Sequence, residues 1–338
     1  MTTHNSKRRY TRRKVLYQMG LATGAMALPS VLNAATSTNP HRVILVKTED
    51  RVVGMRQALD LLQPSTMKGK RIFLKPNYNT GDPAPAATDT RLLEALVQDL
   101  QGDGAGQITV GDRSGMANTR QAMQRKGVFR LADRYGFKAI VFDEMGRGDW
   151  QYFPQGKTNW SRGFAIARPV LNADAIVNTC CLKTHRFGGH FTLSLKNTIG
   201  MVARYVPGDA HDYMRELHAS PNQRLMIAEV NMVYRPSLVL VDGVEAFVGG
   251  GPERGRVAKP GVILAGTDRI AVDAVGIAIL RSLGTTNEVA RGSIWNMAQI
   301  RRAADLGLGA INAQQVELVT GDQASTQMAN RIRQFLVS

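Results

Sequence analysis

The sequence predicts an α/β fold: a mostly parallel sheet with helices on both faces. Three observations lead there. From residue 42 onward, short apolar runs alternate with stretches of helical pattern, the rhythm of βα units. Candidate caps such as Thr88, Asp89 and Asp268 stand at the heads of helical stretches. Nearly every apolar run also ends at once in a polar group, as expected where strands deliver residues to one edge of a sheet. With 338 residues, 43 % hydrophobic and 21 % charged, the chain is an ordinary globular mixture. It is long enough for one domain over 36–338 or for two α/β lobes over 42–145 and 165–338, with a cleft at the strand carboxyl ends.

In chain order, 42–46 reads as a strand and 52–62 as a helix stopped by Pro64. A strand at 71–74 runs straight into Lys75-Pro76-Asn77-Tyr78-Asn79. A helix follows over 89–100, then a strand over 107–110 ending in Gly111-Asp112-Arg113-Ser114-Gly115. Helices at 119–126 and 128–135 precede a strand at 138–142 that ends in Asp143. Between 146 and 164 the pattern degrades into Gly, Trp, Asn and Pro, which suggests a hairpin, an insertion or a lobe boundary. A strand resumes at 173–178. The polar stretch 208–222 reads as a loop or short helix, 222–234 as a helix, and 237–241 as a fully apolar strand ending in Asp242-Gly243. The run Gly249-Gly250-Gly251-Pro252 matches no phosphate-loop spacing and reads as a flexible loop or a phosphate cradle. A strand at 261–265, helices at 269–282, 294–305 and 326–335, and a short strand at 315–319 complete the chain.

The formal net charge is +16, but Lys7, Arg8, Arg9, Arg12, Arg13 and Lys14 supply six of those charges, and without them it is +10. The remaining Lys and Arg are scattered, with no basic stripe and no nucleic-acid-binding motif, so a small anion is the expected partner rather than nucleic acid. Residues 1–35 have a basic start, a mildly apolar middle and small residues at Ala34-Ala35. Thr11-Arg12-Arg13-Lys14-Val15-Leu16 looks like a twin-arginine export signal, implying the twin-arginine translocase as a partner and a periplasmic destination. The apolar part is too short and too interrupted, with Pro29 inside it, for a stable membrane span. The only cysteines, Cys180 and Cys181, are adjacent, which disfavours a mutual disulfide and offers no cluster spacing, so no iron–sulfur cluster is expected.

The richest stretch is 178–201, which gathers Lys183, His185, the Gly188-Gly189 pair, His190, Lys196 and Asn197 directly after an apolar run. Burying so many cationic and amide groups without a purpose would cost several kcal/mol each, so the stretch reads as a site. If the strands are parallel, Lys75, Asn77 and Asp112 meet it at one edge. Lys183, His185 and Lys196 are then the catalytic candidates, because clustered ammonium groups depress one another's pKa and yield a base or nucleophile. Lys75, Asn77, Asn197, Asp242 and Asp112 are the substrate-binding candidates; the two aspartates would neutralise charge or hold a cation. His185 and His190 are also candidate metal ligands. The cofactor is otherwise unspecified.

KPN at 75–77, LKTH at 182–185, LKN-x-x-G at 195–200, VDG at 241–243 and D-x-x-A-x-D at 268–273, in that order, resemble the uncharacterised domain of unknown function 362 family over about 43–319. Some members carry ferredoxin-like iron–sulfur modules, whose cysteines are absent here. The layout is also similar to the lactate-racemase fold, in which a lysine and histidines hold a nickel cofactor. Two functions are compatible with these readings: an exported enzyme acting on a small carboxylate or phosphate, or a periplasmic binding or cofactor-carrier protein without turnover.

Overall fold

The computed structural model describes residues 40–188 and 190–337. The export signal expected over 1–35, and Gly189 of the glycine pair, lie outside the described residues.

The strands are β1 (His41–Lys47), β2 (Ile72–Lys75), β3 (Ile108–Asp112), β4 (Lys138–Val141), β5 (Trp150–Phe153), β6 (Phe164–Ala167), β7 (Ala175–His185), β8 (His190–Thr192), β9 (Leu238–Gly250), β10 (Gly255–Ala258), β11 (Val262–Gly266) and β12 (Val316–Val319). Ten of them form one sheet whose main path runs β12-β1-β11-β9-β7-β2-β3-β4, with β8 and β10 added as hairpin strands. The pairs β9/β7, β7/β2, β2/β3, β3/β4 and β1/β12 are parallel. Strands β5 and β6 form a separate antiparallel hairpin, which accounts for the irregular stretch 146–164.

Alternation along the strands explains why helices cover both faces. In β1, Val43 and Leu45 point into one apolar cluster while Ile44 and Val46 point into another. In β11, Val262 and Leu264 divide from Ile263 and Ala265 in the same way. Each fully buried aliphatic side chain contributes roughly 1.5–3 kcal/mol, so the two-sided burial selects a layered α/β arrangement. Helix Arg269–Ser282 lies on the first face, and Arg51–Leu62 and Thr90–Gly102 on the second. Asp50, Asp89 and Asp268 cap those helices through their carboxylates.

Three local expectations need correction. The central strand does not end near 178: β7 continues, wholly buried, through His185, so Lys183 and His185 ride on the strand itself. Likewise β9 continues through Asp242 to Gly250, and the glycine run forms the end of that strand and its turn into β10. A side chain on Gly251, at φ +71°, would meet the Thr184 carbonyl, so that turn is packed against β7. Third, β11 runs antiparallel to both its neighbours. Thr267 and Asp268 therefore leave the sheet at the opposite edge from Lys75 and Asp112, and Asp268 is engaged there by His41 at 2.8 Å. No helix among the described residues is long and apolar enough to cross a membrane.

Candidate functional site

The parallel register brings Lys75, at the end of β2, beside Asp112, at the end of β3: the pairing Leu74↔Val110 places the two tips level. A cavity of about 380 Å³ opens above them. Among the residues named from sequence, Lys75, Asn77, Asp112, Lys183, His185, Lys196 and Asn197 line it, drawn from four separate chain segments.

Each of the three lysines is held differently. Lys75 Nζ lies 2.7 Å from Asp112 Oδ1 and donates to the Pro76 carbonyl at 2.6 Å. Asp112 Oδ2 and Oδ1 also accept the Tyr78 and Arg113 amides at 2.7 and 2.8 Å, so this ion pair is fully enclosed by polar partners. Burial pulls the lysine below its usual pKa and lifts the aspartate above its own, and each charge opposes the other's shift. Lys183 Nζ donates to Asn77 Oδ1 at 2.7 Å and to the Ala86 carbonyl at 2.5 Å, both neutral acceptors, and burial lowers its pKa. The Lys196 side chain makes no hydrogen bond or ion pair with any described residue. Burial, with the neighbouring charges of Arg113 and Lys183, brings it down to about 8.

Lys196 owes its position to a cap supplied from elsewhere in the chain. The short helix Ser194–Asn197 has no side-chain cap of its own. Asp273, from helix Arg269–Ser282, accepts the Ser194 amide at 2.8 Å, the Ser194 hydroxyl at 2.6 Å and the Leu195 amide at 3.0 Å. Its burial is complete, and desolvation raises it to about 7. On the same helix Asn197 ties the network together. Its Nδ2 donates to Asn178 Oδ1 at 2.7 Å and to the Thr179 carbonyl at 3.0 Å, while its Oδ1 accepts from Asn77 Nδ2 at 3.1 Å and Lys75 Nζ at 3.3 Å.

His185 Nδ1 accepts the Phe187 amide at 3.3 Å, which assigns the ring proton of the neutral form to Nε2. Burial, then the charges of Lys196 and Lys183, hold its pKa well below the usual histidine value, so the ring is neutral at physiological pH. At the rim, His218 Nδ1 donates to the Met214 carbonyl at 2.7 Å, leaving Nε2 as an acceptor.

Several lining residues were not singled out from sequence. Arg113 is buried and donates to the carbonyls of Val202, Ser114 and Ile199 at 2.9–3.0 Å. Asn79 Nδ2 and Thr192 Oγ1 are buried and bond to no described residue. His218, Arg204, Asp212 and Arg215 form part of the rim. The rule that polar groups follow strands already covers Arg113 and Asn79, since they stand in the GDRSG and KPNYN runs. His218 stands in the polar stretch 208–222 and reads from sequence as a loop residue rather than a ligand, and no local signal marks Thr192.

Asp242 and His190 do not line this cavity. Asp242 is buried in β9, where its Oδ2 accepts Arg51 Nε at 2.8 Å and its Oδ1 the Val244 amide at 3.1 Å. His190 pairs in register with His185 across the β7–β8 hairpin but lines a separate cavity with Arg224 and Glu288. Among the described residues no group of three or more His, Cys, Asp or Glu is placed to hold a metal ion. Cys180 and Cys181 are free and buried.

Within the cavity lining, six Lys or Arg side chains face two Asp side chains. The arrangement favours a negatively charged occupant and offers it an unengaged ammonium and an imidazole N–H.

The model of the family described as "Domain of unknown function (DUF362)" matches residues 72–278. Over 216 residues the chain is 26 % identical to thylakoid-associated protein sll1697 of Synechocystis sp. (strain ATCC 27184 / PCC 6803 / Kazusa), a match covering 63 % of this chain. The chain spans about 64 % of the length of that curated relative. Among solved structures, the lactate racemase apoprotein from Thermoanaerobacterium thermosaccharolyticum is similar at a TM-score of 0.36 and 15 % identity, over 62 % of this chain and 51 % of that one. So slight a likeness assigns no role to any residue.

Proposed function

The chain belongs to the domain of unknown function 362 family, and from that premise we propose that it is an enzyme acting on a small carboxylate- or phosphate-bearing substrate in the Lys75–Lys183–Lys196 cavity. The observation that carries this reading is Lys196: a lysine nine-tenths buried in a cavity wall, among other cations, whose ammonium has no partner among the described residues and is left to the cavity. A structural lysine so placed would pay its desolvation for nothing, whereas a ligand anion would compensate it. In this reading Lys196 is the base or nucleophile and His185 offers its Nε2 proton to a substrate oxygen. Lys75, Asp112, Asn77, Asn197 and Lys183 form the rigid floor. Asp242 serves to anchor Arg51 and takes no part in binding. The twin-arginine pattern at 11–16 supports export to the periplasm through the twin-arginine translocase as part of the same proposal.

The test is a binding screen of small carboxylates and phosphates by thermal shift and calorimetry, followed by NMR of the recovered ligand. Ligands should raise the unfolding temperature of the native protein but not of Lys196→Met, which should keep its circular dichroism spectrum. A Lys196→Met protein that binds as well as the native one would overturn the assignment. Ligand returned unchanged from the native protein in every condition would make it a carrier rather than an enzyme.

A further inference from the structure

We infer that the substrate is a small oxo acid and that Lys196 joins its carbonyl carbon as an imine. This deepens the reading given above and rests on it. Three observations distinguish a covalent role from simple charge pairing. First, Lys75 and Lys183 are each fixed by two or more protein acceptors, while Lys196 Nζ is left unengaged at the cavity wall. An ammonium meant only to hold a carboxylate would do better as a guanidinium with two parallel donors. Second, its charged neighbours, Arg113 and Lys183, oppose its protonation while still attracting a substrate anion. An unprotonated amine in a cationic cavity is what addition to the carbonyl of an anion requires. Third, the Asp273 cap fixes the helix that carries Lys196, so the amine is presented from a rigid element.

The two histidines complete the chemistry. The Lys196 nitrogen lone pair forms the C–N bond, and the carbonyl π pair moves onto oxygen, where the His185 Nε2–H stabilises it by hydrogen bonding. His218 Nε2 first takes the ammonium proton that frees this lone pair and returns it to the new alkoxide, then carries a second proton from the nitrogen to the same oxygen. The C–O bond then breaks, water leaves, and the product is a protonated imine. Ammonium plus carbonyl becomes iminium plus water, with net charge conserved and no external oxidant or reductant.

The experiment traps the imine. The full-length protein is incubated with pyruvate or 2-oxoglutarate and sodium cyanoborohydride, and modified lysines are mapped by peptide mass spectrometry, with lactate and inorganic phosphate as non-carbonyl competitors. The expected result is one reduced adduct per chain, on Lys196, suppressed by competitor and absent from folded Lys196→Arg. If the oxo acids raise the unfolding temperature but leave Lys196 unmodified, or label it no more than surface lysines, the imine is wrong and the anion site stands. If neither oxo acids, lactate nor phosphate shift unfolding and no adduct forms, both fall together.

Discussion

Lys75 and Asp112 form an ion pair at 2.7 Å across the tips of two parallel strands, and Gly200 closes over it with no room for a side chain. A Cβ on Gly200 would stand 2.7 Å from Lys75 Nζ and nearer still to Asp112 Oδ1. The final glycine of the LKN-x-x-G run is therefore a packing requirement of the cavity floor. Replacing one partner of a buried pair leaves the other charge uncompensated, at about 3–5 kcal/mol. Lys75→Met and Asp112→Asn should each lower unfolding free energy by that order, and the double variant by clearly less than the sum. Gly200→Ala should cost about 1–3 kcal/mol through overpacking. Urea unfolding of the four variants checks all of this.

The positions of the strands were readable from sequence because apolar alternation is local. Those at 42–46, 71–74, 107–110 and 138–142 coincide with β1 to β4 to within a residue or two. Direction is not local. Nothing in the residues of β11 announces that it enters antiparallel, so Asp268, which obeys the same strand-then-polar rule as Asp112, falls at the wrong edge. Strand length was also hidden: Lys183 looks like a loop residue, yet it lies within a wholly buried strand because Asn77 and the Ala86 carbonyl receive its ammonium. Such partners are 106 and 97 residues away in sequence. The capping of Lys196's helix by Asp273 was unreadable for the same reason, although Leu195 and Asp273, two ends of that contact, lie inside recognisable motifs.

Lys196 gives a stability prediction with a definite sign. Its pKa in the folded protein is about 8 against an ordinary 10.5, so the unfolded chain binds more protons between those values. Stability contributed by this group is therefore lowest below about pH 8 and rises as pH climbs toward 10.5. The penalty at neutral pH is on the order of 3 kcal/mol. Lys196→Met should be more stable than the native protein at pH 7, with the difference shrinking through pH 8–10 as the native amine deprotonates. Denaturant titrations at four pH values measure it. A gap that stays constant with pH would contradict the desolvated-amine account.

Asp273 should behave in the opposite sense to an ordinary salt-bridged carboxylate. Its folded pKa is about 7, above the usual 3.8, so ionising it costs stability that is intact at pH 4 and lost as pH rises toward 7. Asp273→Asn abolishes that slope. It also turns an amide NH₂ toward backbone donors of Ser194 and Leu195, leaving at least one unsatisfied at about 1–3 kcal/mol. The variant should be less stable than the native protein near pH 4 and close to it near pH 7. It should lose ligand binding at both, because the helix carrying Lys196 and Asn197 is no longer capped. Retained binding with altered stability would separate the cap from the site.

Arg302 and Glu229 hold the β5–β6 hairpin region against the helical layer, and their rupture should be felt far from the cavity. Glu229 is fully buried. Its Oε1 accepts Arg302 Nη2 at 2.7 Å and Asn159 Nδ2 at 2.7 Å, and its Oε2 accepts the Asn159 amide at 2.8 Å. Arg302 reaches it from helix Ala298–Asp305, and Asn159 lies in the loop between β5 and β6. Arg302→Met removes the only ion-pair partner of Glu229 among the described residues, leaving a buried carboxylate with two neutral donors. A loss of about 3–5 kcal/mol is expected. Glu229→Gln, which keeps an acceptor for Asn159 and removes the stranded charge, should recover part of that loss in the Arg302→Met background. Neither residue lines the cavity, so ligand affinity measured well below the unfolding temperature should be unchanged in the rescued double variant. Amide hydrogen exchange should show the loosening concentrated around residues 155–164, because the contacts broken are those that anchor Asn159.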